Sequence, residues 1–310
     1  MNGVSIVVVN FNTAEATAAC LASLEGEPVD AEIVVVDNGS TDGSADLLRS
    51  RFPDALVVEA GENLGFAAGV NLGASLATRE WILLLNPDTL VRSGSIRALL
   101  DFAEQHPEHR VYGGRTLRPD GSLDPSSCWG EPSAWSLVCF ATGLSTVFRG
   151  TRVFDPESLG RWRRDTVREV PVITGCLLLV SRTDWDALGG MDERFFLYGE
   201  DADFSRRARL AGMRPVVVPD AVIVHEVGGS TSSSGRKMCL VMAGKATDAR
   251  LRWGKHRGAL AVALLRAGSG LRAALGKESW REVWRRRDDW SVGYPAARRT
   301  LFPARDEVTA

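Results

Sequence analysis

Asn86, Pro87 and Asp88 directly follow five apolar residues, Trp81 to Leu85. Such a run reads as a buried inner strand, and parallel α/β sheets bind their ligands where such strands end. Pro87 stops the strand and fixes the backbone between its two polar neighbours. An aspartate placed there can hold a divalent cation, and the cation can carry a nucleotide diphosphate. A second acidic group, Glu200, Asp201 and Asp203, opens a helical stretch just after an aromatic-rich turn. The helix dipole favours acids at that end, and Asp203 can pair with Arg206 or Arg207 one turn on. Neither reason singles out Glu200 and Asp201, which can equally serve as proton acceptors. His225 closes a β-branched run, where a single histidine is more often an ordinary partnered residue.

The elements that must position these groups follow a regular beat. Strands are expected at Val4–Val9, Glu32–Val36, Leu56–Glu59 and Trp81–Leu85, with helices between them and another from Gly94 to Glu104. That alternation implies a doubly wound, mostly parallel sheet with helices on both faces. No Gly-x-Gly-x-x-Gly follows the first strand, which argues against a dinucleotide-binding dehydrogenase. The glycines of the Glu62–Gly73 stretch, spaced by four, let a helix lie close to a strand or a ligand. Beyond Val111 the pattern decays, and the aromatic stretch from Trp129 to Phe154 is expected to shape the pocket of a second substrate. Val170–Ser181 is again strand-like, and a helix is expected from Glu200 to Leu210. Short strands are expected at Arg214–Val218 and Ala221–Val224. Residues 228–235 are rich in Gly and Ser and could form a lid, with Arg236 and Lys237 following.

The net charge of −2 hides two opposite halves. Residues 1–235 hold 20 Arg and no Lys against 32 acids, and residues 236–299 hold 16 Lys and Arg against 5 acids. A basic, Trp-dotted helical tail suits a partner: an anionic membrane surface or a second subunit. Its longest apolar run, Gly258 to Leu265, is too short to span a bilayer. Five cysteines without a Cys-x-x-Cys pair fit a reducing cytoplasm, and no signal peptide is expected, since no basic stretch followed by an apolar one is visible before Val4.

Taken in order, Val9-Asn10-Phe11-Asn12, Val36 to Asp42, Asn63-Leu64-Gly65-Phe66, Asn86-Pro87-Asp88, Gly189 to Glu193, Glu200 to Asp203 and His225 resemble the inverting family 2 glycosyltransferases of GT-A fold. The Asn-Pro-Asp form and the Phe195–Asp203 run are most similar to the bacterial rhamnosyltransferase branch. The resemblance implies a donor site of Val9, Asn10, Phe11, Asn12, Asp37, Asn38, Gly65, Phe66, Asn86 and Asp88. Asp37 would accept the N–H of a pyrimidine base beside the Phe11 ring; from the residues alone it is equally a turn-forming Asp. Asp88 and His225 would hold Mg²⁺ or Mn²⁺, the imidazole favouring Mn²⁺. Asn86 stands where most relatives have a first carboxylate. Asp201 would be the general base, with Glu200 next, and Gly175, Trp129, Tyr198 and Glu200 would bind the acceptor. The donor implied is dTDP-L-rhamnose, and the acceptor a cell-surface glycan or its polyprenyl-diphosphate-linked precursor.

These readings divide the chain into a GT-A domain over 1–235, with a nucleotide-sugar half (1–116) and an acceptor half (117–235), and a basic helical extension over 236–310. The expected place is the cytoplasm or the inner face of its membrane, with membrane contact through 237–299, an optional homo-oligomer and no nucleic acid. A UDP-sugar donor and a catalytically silent nucleotide-sugar-binding scaffold are the alternatives. A nucleotidyltransferase would need a Gly-rich phosphate loop after the first strand, and Asn10-Phe11-Asn12-Thr13 is not one.

Overall fold

The computed structural model describes residues 3–225 and 234–302, so most of the expected 228–235 lid lies outside the described residues. In chain order come β1 (Val4–Asn10), α1 (Ala14–Ala22), β2 (Ala31–Asp37), α2 (Ser44–Arg51), β3 (Leu56–Glu59), α3 (Phe66–Leu76) and β4 (Trp81–Leu85). Next are β5 (Thr89–Val91), α4 (Ser95–Gln105), β6 (Val111–Leu117), β7 (Cys128–Trp129), α5 (Ala134–Thr142) and α6 (Leu144–Val147). Then follow β8 (Arg168–Glu169), β9 (Val172–Ile173), β10 (Leu177–Ser181), α7 (Arg182–Leu188), α8 (Glu200–Leu210) and β11 (Val216–His225). Helices close the chain: α9 (Ser234–Ala274), broken at Gly254, α10 (Glu278–Arg285), α11 (Arg287–Ser291) and α12 (Ala296–Leu301). The chain forms two compact units: 1–129, 162–192 and 201–230 in one, and 130–161, 193–200 and 231–310 in the other. Residues 130–161 and 193–200, which the sequence pattern assigned to the α/β domain, therefore group with the C-terminal helices.

The first unit is built on a mixed sheet of order β3-β2-β1-β4-β10-β6-β11-β5. Strands β1 to β4 are parallel, β10 runs antiparallel to β4 and β6, and β6 and β11 are parallel. Each side chain of β1 and β4 is buried, because both sheet faces are covered. On β1 and β2 the alternation of strand side chains sends Ile6, Val8 and Val35 into the core shared with α1, α2 and α4. Val7, Val9 and Val36 point the other way, under α3. Gly69 and Gly73 permit that approach: a Cβ at Gly73 would sit 2.5 Å from Val7 Cγ1, and one at Gly69 3.0 Å from Val9 Cγ1.

Three expectations need correction. Val111–Leu117, where regularity was expected to decay, is an inner strand, and its Gly113-Gly114 pair is there for closeness: a Cβ at Gly113 would meet Ile173 at 2.5 Å. The two short strands expected after Arg214 are one, β11, whose register shifts between Val217 and Val222 around Pro219. Val170–Ser181 is not continuous either; it breaks at Thr174-Gly175-Cys176, between β9 and β10.

The second unit packs α5 and α10–α12 around α9, with Phe195, Phe196, Leu240, Leu265, Val283 and Trp290 in its core. Trp290 is fully buried and donates Nε1–H to Val283 O at 2.8 Å, and Trp280 packs on Phe140 with ring centroids 5.7 Å apart. Most tail tryptophans thus serve a protein core. Arg272 crosses to α5 and α6, donating to Phe140 O, Ser145 Oγ and Thr146 Oγ1. Among the described residues no helix is long and apolar enough to cross a membrane.

Candidate active site

The ends of β1 and β2 lie in register, Asn10 beside Asp37. Asn10 is buried and fully engaged: Nδ2 donates to Asp37 Oδ2 at 2.7 Å and to Ser40 Oγ, while Oδ1 accepts from Thr13 and Thr17. Asp37 Oδ1 accepts from Ser40 N at 2.9 Å, the turn-forming bond, and the carboxylate keeps acceptor capacity to spare. Asn12 adopts φ 53° and accepts from Thr41 N at 2.8 Å. Asn38 donates to Asn63 and to Gly65 O, tying β2 to the loop before α3. Val9 is core, under Gly69. Of the expected donor residues, then, Asn10, Asn38 and Val9 hold the edge together. Phe11, half-buried at the strand end, and Asp37 retain surface or lone pairs to offer.

Asp88 and His225 lie side by side. His225 Nε2 lies 3.3 Å from Asp88 Oδ2, and its Nδ1 lies 3.1 Å from Asp124 Oδ2. Asp124 carries no signal of this role; as the cap of the Pro125–Ser127 turn it reads as a structural residue. Burial alone would lower the His225 pKa, but the hydrogen bonds and charges of Asp124 and Asp88 outweigh it and push it up to about 9. Burial raises the Asp124 carboxyl, and the His225 bond outweighs that and holds it below the usual range. Two neighbouring ligands of one small cation lie about 3 Å apart, so Asp88 and Nε2 fit a metal as a pair. Asp124 would then keep Nδ1–H and aim the ring, as carboxylates behind ligating histidines do. Among the described residues no group of three or more His, Cys, Asp or Glu is placed to hold a metal ion. Asn86 stays outside this set: its Nδ2 lies 3.3 Å from the Cys176 sulfur.

Gly175, in the break between β9 and β10, donates its N–H to Asp201 Oδ1 at 3.1 Å. A Cβ there would strike the Phe66 ring at 2.9 Å and crowd Asp201 at 3.2 Å, so glycine brings these three together. Burial raises the Asp201 pKa to about 7, against the opposing pull of the Gly175 bond. Cys176 joins the two halves of the site. Burial raises its thiol to about 12, and the charges of Asp201, Asp88 and Asp124 all add to the rise. Asp203 is an internal residue, bonded to Arg206 at 3.0 Å and Arg207 at 2.6 Å. Trp129, at the end of β7, is 38% exposed. In the second unit Glu200 is buried, and Tyr198 takes φ 67° with Lys237 Nζ 5.9 Å from its ring centroid.

The mixed, mostly parallel sheet with helices on both faces is of the GT-A type. Residues 5–163 match the family described as glycosyl transferase family 2, and 165–227 match an N-terminal domain of galactosyltransferase. The chain belongs to glycosyl transferase family 2 and is a glycosyltransferase. It is 33% identical over 243 residues, 73% of this chain and 76% of the relative, to the N-acetylglucosaminyl-diphospho-decaprenol L-rhamnosyltransferase of Mycobacterium tuberculosis. It is 27% identical over 214 residues to the low-salt glycan biosynthesis hexosyltransferase Agl10 of Haloferax volcanii, covering 67% and 62% of the two. The fold is that of the mannosyltransferase PcManGT from Pyrobaculum calidifontis, solved with GDP-Man and Mn²⁺: TM-score 0.54, 19% identity, covering 97% of this chain and 84% of that one.

Proposed function

We propose that this chain transfers L-rhamnose from dTDP-L-rhamnose, with inversion, to a hydroxyl of a polyprenyl-diphosphate-linked glycan acceptor. The observation that carries the reaction type is the placement of Asp201, whose Oδ1 accepts the Gly175 N–H at 3.1 Å beside the Phe66 ring, with desolvation raising its pKa to about 7. A base of that pKa is matched to taking a proton from an alcohol near neutral pH. The acceptor oxygen then attacks the anomeric carbon on the face opposite the nucleotide diphosphate, which departs with the bonding pair. Asp88 and His225 Nε2 would hold Mg²⁺ or Mn²⁺, which neutralises the developing diphosphate charge. Asp37 would accept the pyrimidine N–H, and Phe66 and Gly175 would border the sugar.

The sugar and the lipid-linked acceptor rest on the likeness to the mycobacterial rhamnosyltransferase. Thymine and uracil both carry the N–H that Asp37 can accept, so a UDP-sugar is the second reading. The test is a transfer assay with purified protein, Mn²⁺ or Mg²⁺, and dTDP-rhamnose beside a panel of UDP-sugars. A polyprenyl-diphosphate N-acetylglucosamine is the acceptor. Transfer from dTDP-rhamnose, abolished in Asp88→Ala, is expected. Transfer only from a UDP-sugar overturns the donor, and dTDP binding without transfer or donor hydrolysis overturns the reaction.

A further inference from the structure

The aromatic stretch that the sequence pattern assigned to a substrate pocket has a different character in the second unit. Trp135, Val147, Phe148 and Val153 are 47%, 74%, 44% and 58% exposed. They form one patch. The Phe154 ring lies 4.9 Å from that of Phe148 and 6.3 Å from that of Trp135, and Trp135 Nε1 donates to Val153 O at 2.6 Å. Val147 and Phe148 follow one another at the end of α6, and both side chains are exposed. Large apolar side chains gathered like this on a surface mark an interaction site.

The rim of the patch is basic. Arg149, Arg152 and Arg161 are exposed, and none pairs with a carboxylate among the described residues. The acids of this segment are occupied. Asp155 accepts from Gly150 N at 2.8 Å, and Glu157 pairs with Lys245 at 2.6 Å. A second apolar line lies on α9, where Leu260 and Leu271 are exposed on one helical face, and Leu275 is exposed just beyond its end. Leu271 touches the α5–α6 junction, 3.1 Å from where a Cβ of Gly143 would be. The charge of the whole unit agrees: it holds 21 Lys and Arg against 12 acids, while the first unit holds 16 against 27.

We infer that the Trp135, Val147–Phe148 and Val153 patch docks the enzyme on an anionic phospholipid bilayer, with Arg149, Arg152 and Arg161 at the headgroups. Aromatic and aliphatic tips with guanidinium groups around them suit the boundary between acyl chains and anionic headgroups. A symmetric pairing of two copies through the same patch would set the arginines of each against those of the other. The bilayer has the complementary charge. The proposal is independent of which sugar is transferred.

The test is co-sedimentation of the full chain with phosphatidylcholine vesicles, with and without phosphatidylglycerol. Binding to the phosphatidylglycerol vesicles is expected, with Trp135 fluorescence quenched by brominated lipid and the quenching reduced in Trp135→Phe. Val147→Ser with Phe148→Ser should weaken binding by about tenfold or more. Arg149→Gln and Arg152→Gln should each weaken it by about fivefold. The thermal transition should stay in place in every variant. The inference is overturned if the wild type stays in the supernatant, or if the variants sediment as it does. It is equally overturned if the double serine variant splits a dimer in sedimentation velocity while vesicle binding is unchanged.

Discussion

At the scale of single residues, the site turns on two carboxylates given opposite work by their surroundings. Asp201 is half-buried against Gly175, and desolvation raises its pKa to about 7. A base must be ionised to act, so turnover should fall about tenfold per pH unit below about 7 and level off above it. Asp201→Asn should lower kcat by about a hundredfold to ten-thousandfold and remove that acid limb, read from a pH–rate profile at saturating donor. An acid limb that survives in Asp201→Asn would move the base elsewhere, with Glu200 the next group to test. Asp124 would act at one remove, through His225. Asp124→Asn should weaken Mn²⁺ binding by about tenfold or more in calorimetry, with the fold intact by circular dichroism. Unchanged Mn²⁺ affinity would make Asp124 merely the cap of its turn.

At the scale of elements, close approach explains both the fold and the limits of reading it from sequence. Gly73 is the sharpest case. Alanine there gains about 1 kcal/mol of helix propensity, yet its Cβ would meet Val7 on a strand that cannot retreat. Overpacking costs about 1–3 kcal/mol, so Gly73→Ala should lose net stability of about 1 kcal/mol in urea titration. Equal or greater stability would show that α3 lifts off freely. The β1–β4 alternation was legible because buried parallel strands are long apolar runs with polar ends. Strand β6 was not, since Gly113-Gly114 imitates a turn unless the neighbours they admit are known. Asp88, His225 and Asp201 were legible as types at strand and helix ends. Asp124 was not, because Asp-Pro is an ordinary turn signal and its partner lies 101 residues away.

At the scale of the whole molecule, the residues proposed for nucleotide and metal all come from the first unit. Asp37, Asp88, Asp124 and His225 stand on or beside β2, β4, β6 and β11, while α9–α12 have a separate core around Trp290. Ligand binding stabilises what it touches, by about 2.7 kcal/mol when the ligand is at a hundred times its Kd. Hydrogen exchange with saturating dTDP and Mn²⁺ should therefore slow at the ends of β1, β2 and β4 and along β11. Amides of α10 and α11 should keep their rates. Neither dTDP nor Mn²⁺ alone should give the full effect, because the diphosphate would supply the cation ligands that the proposed Asp88–His225 pair lacks. Asp88→Ala should lose the Mn²⁺-dependent part and retain protection near Asp37, the residue proposed to read the base. Uniform slowing across both units, or protection in Asp88→Ala equal to that of the wild type, would place the nucleotide elsewhere.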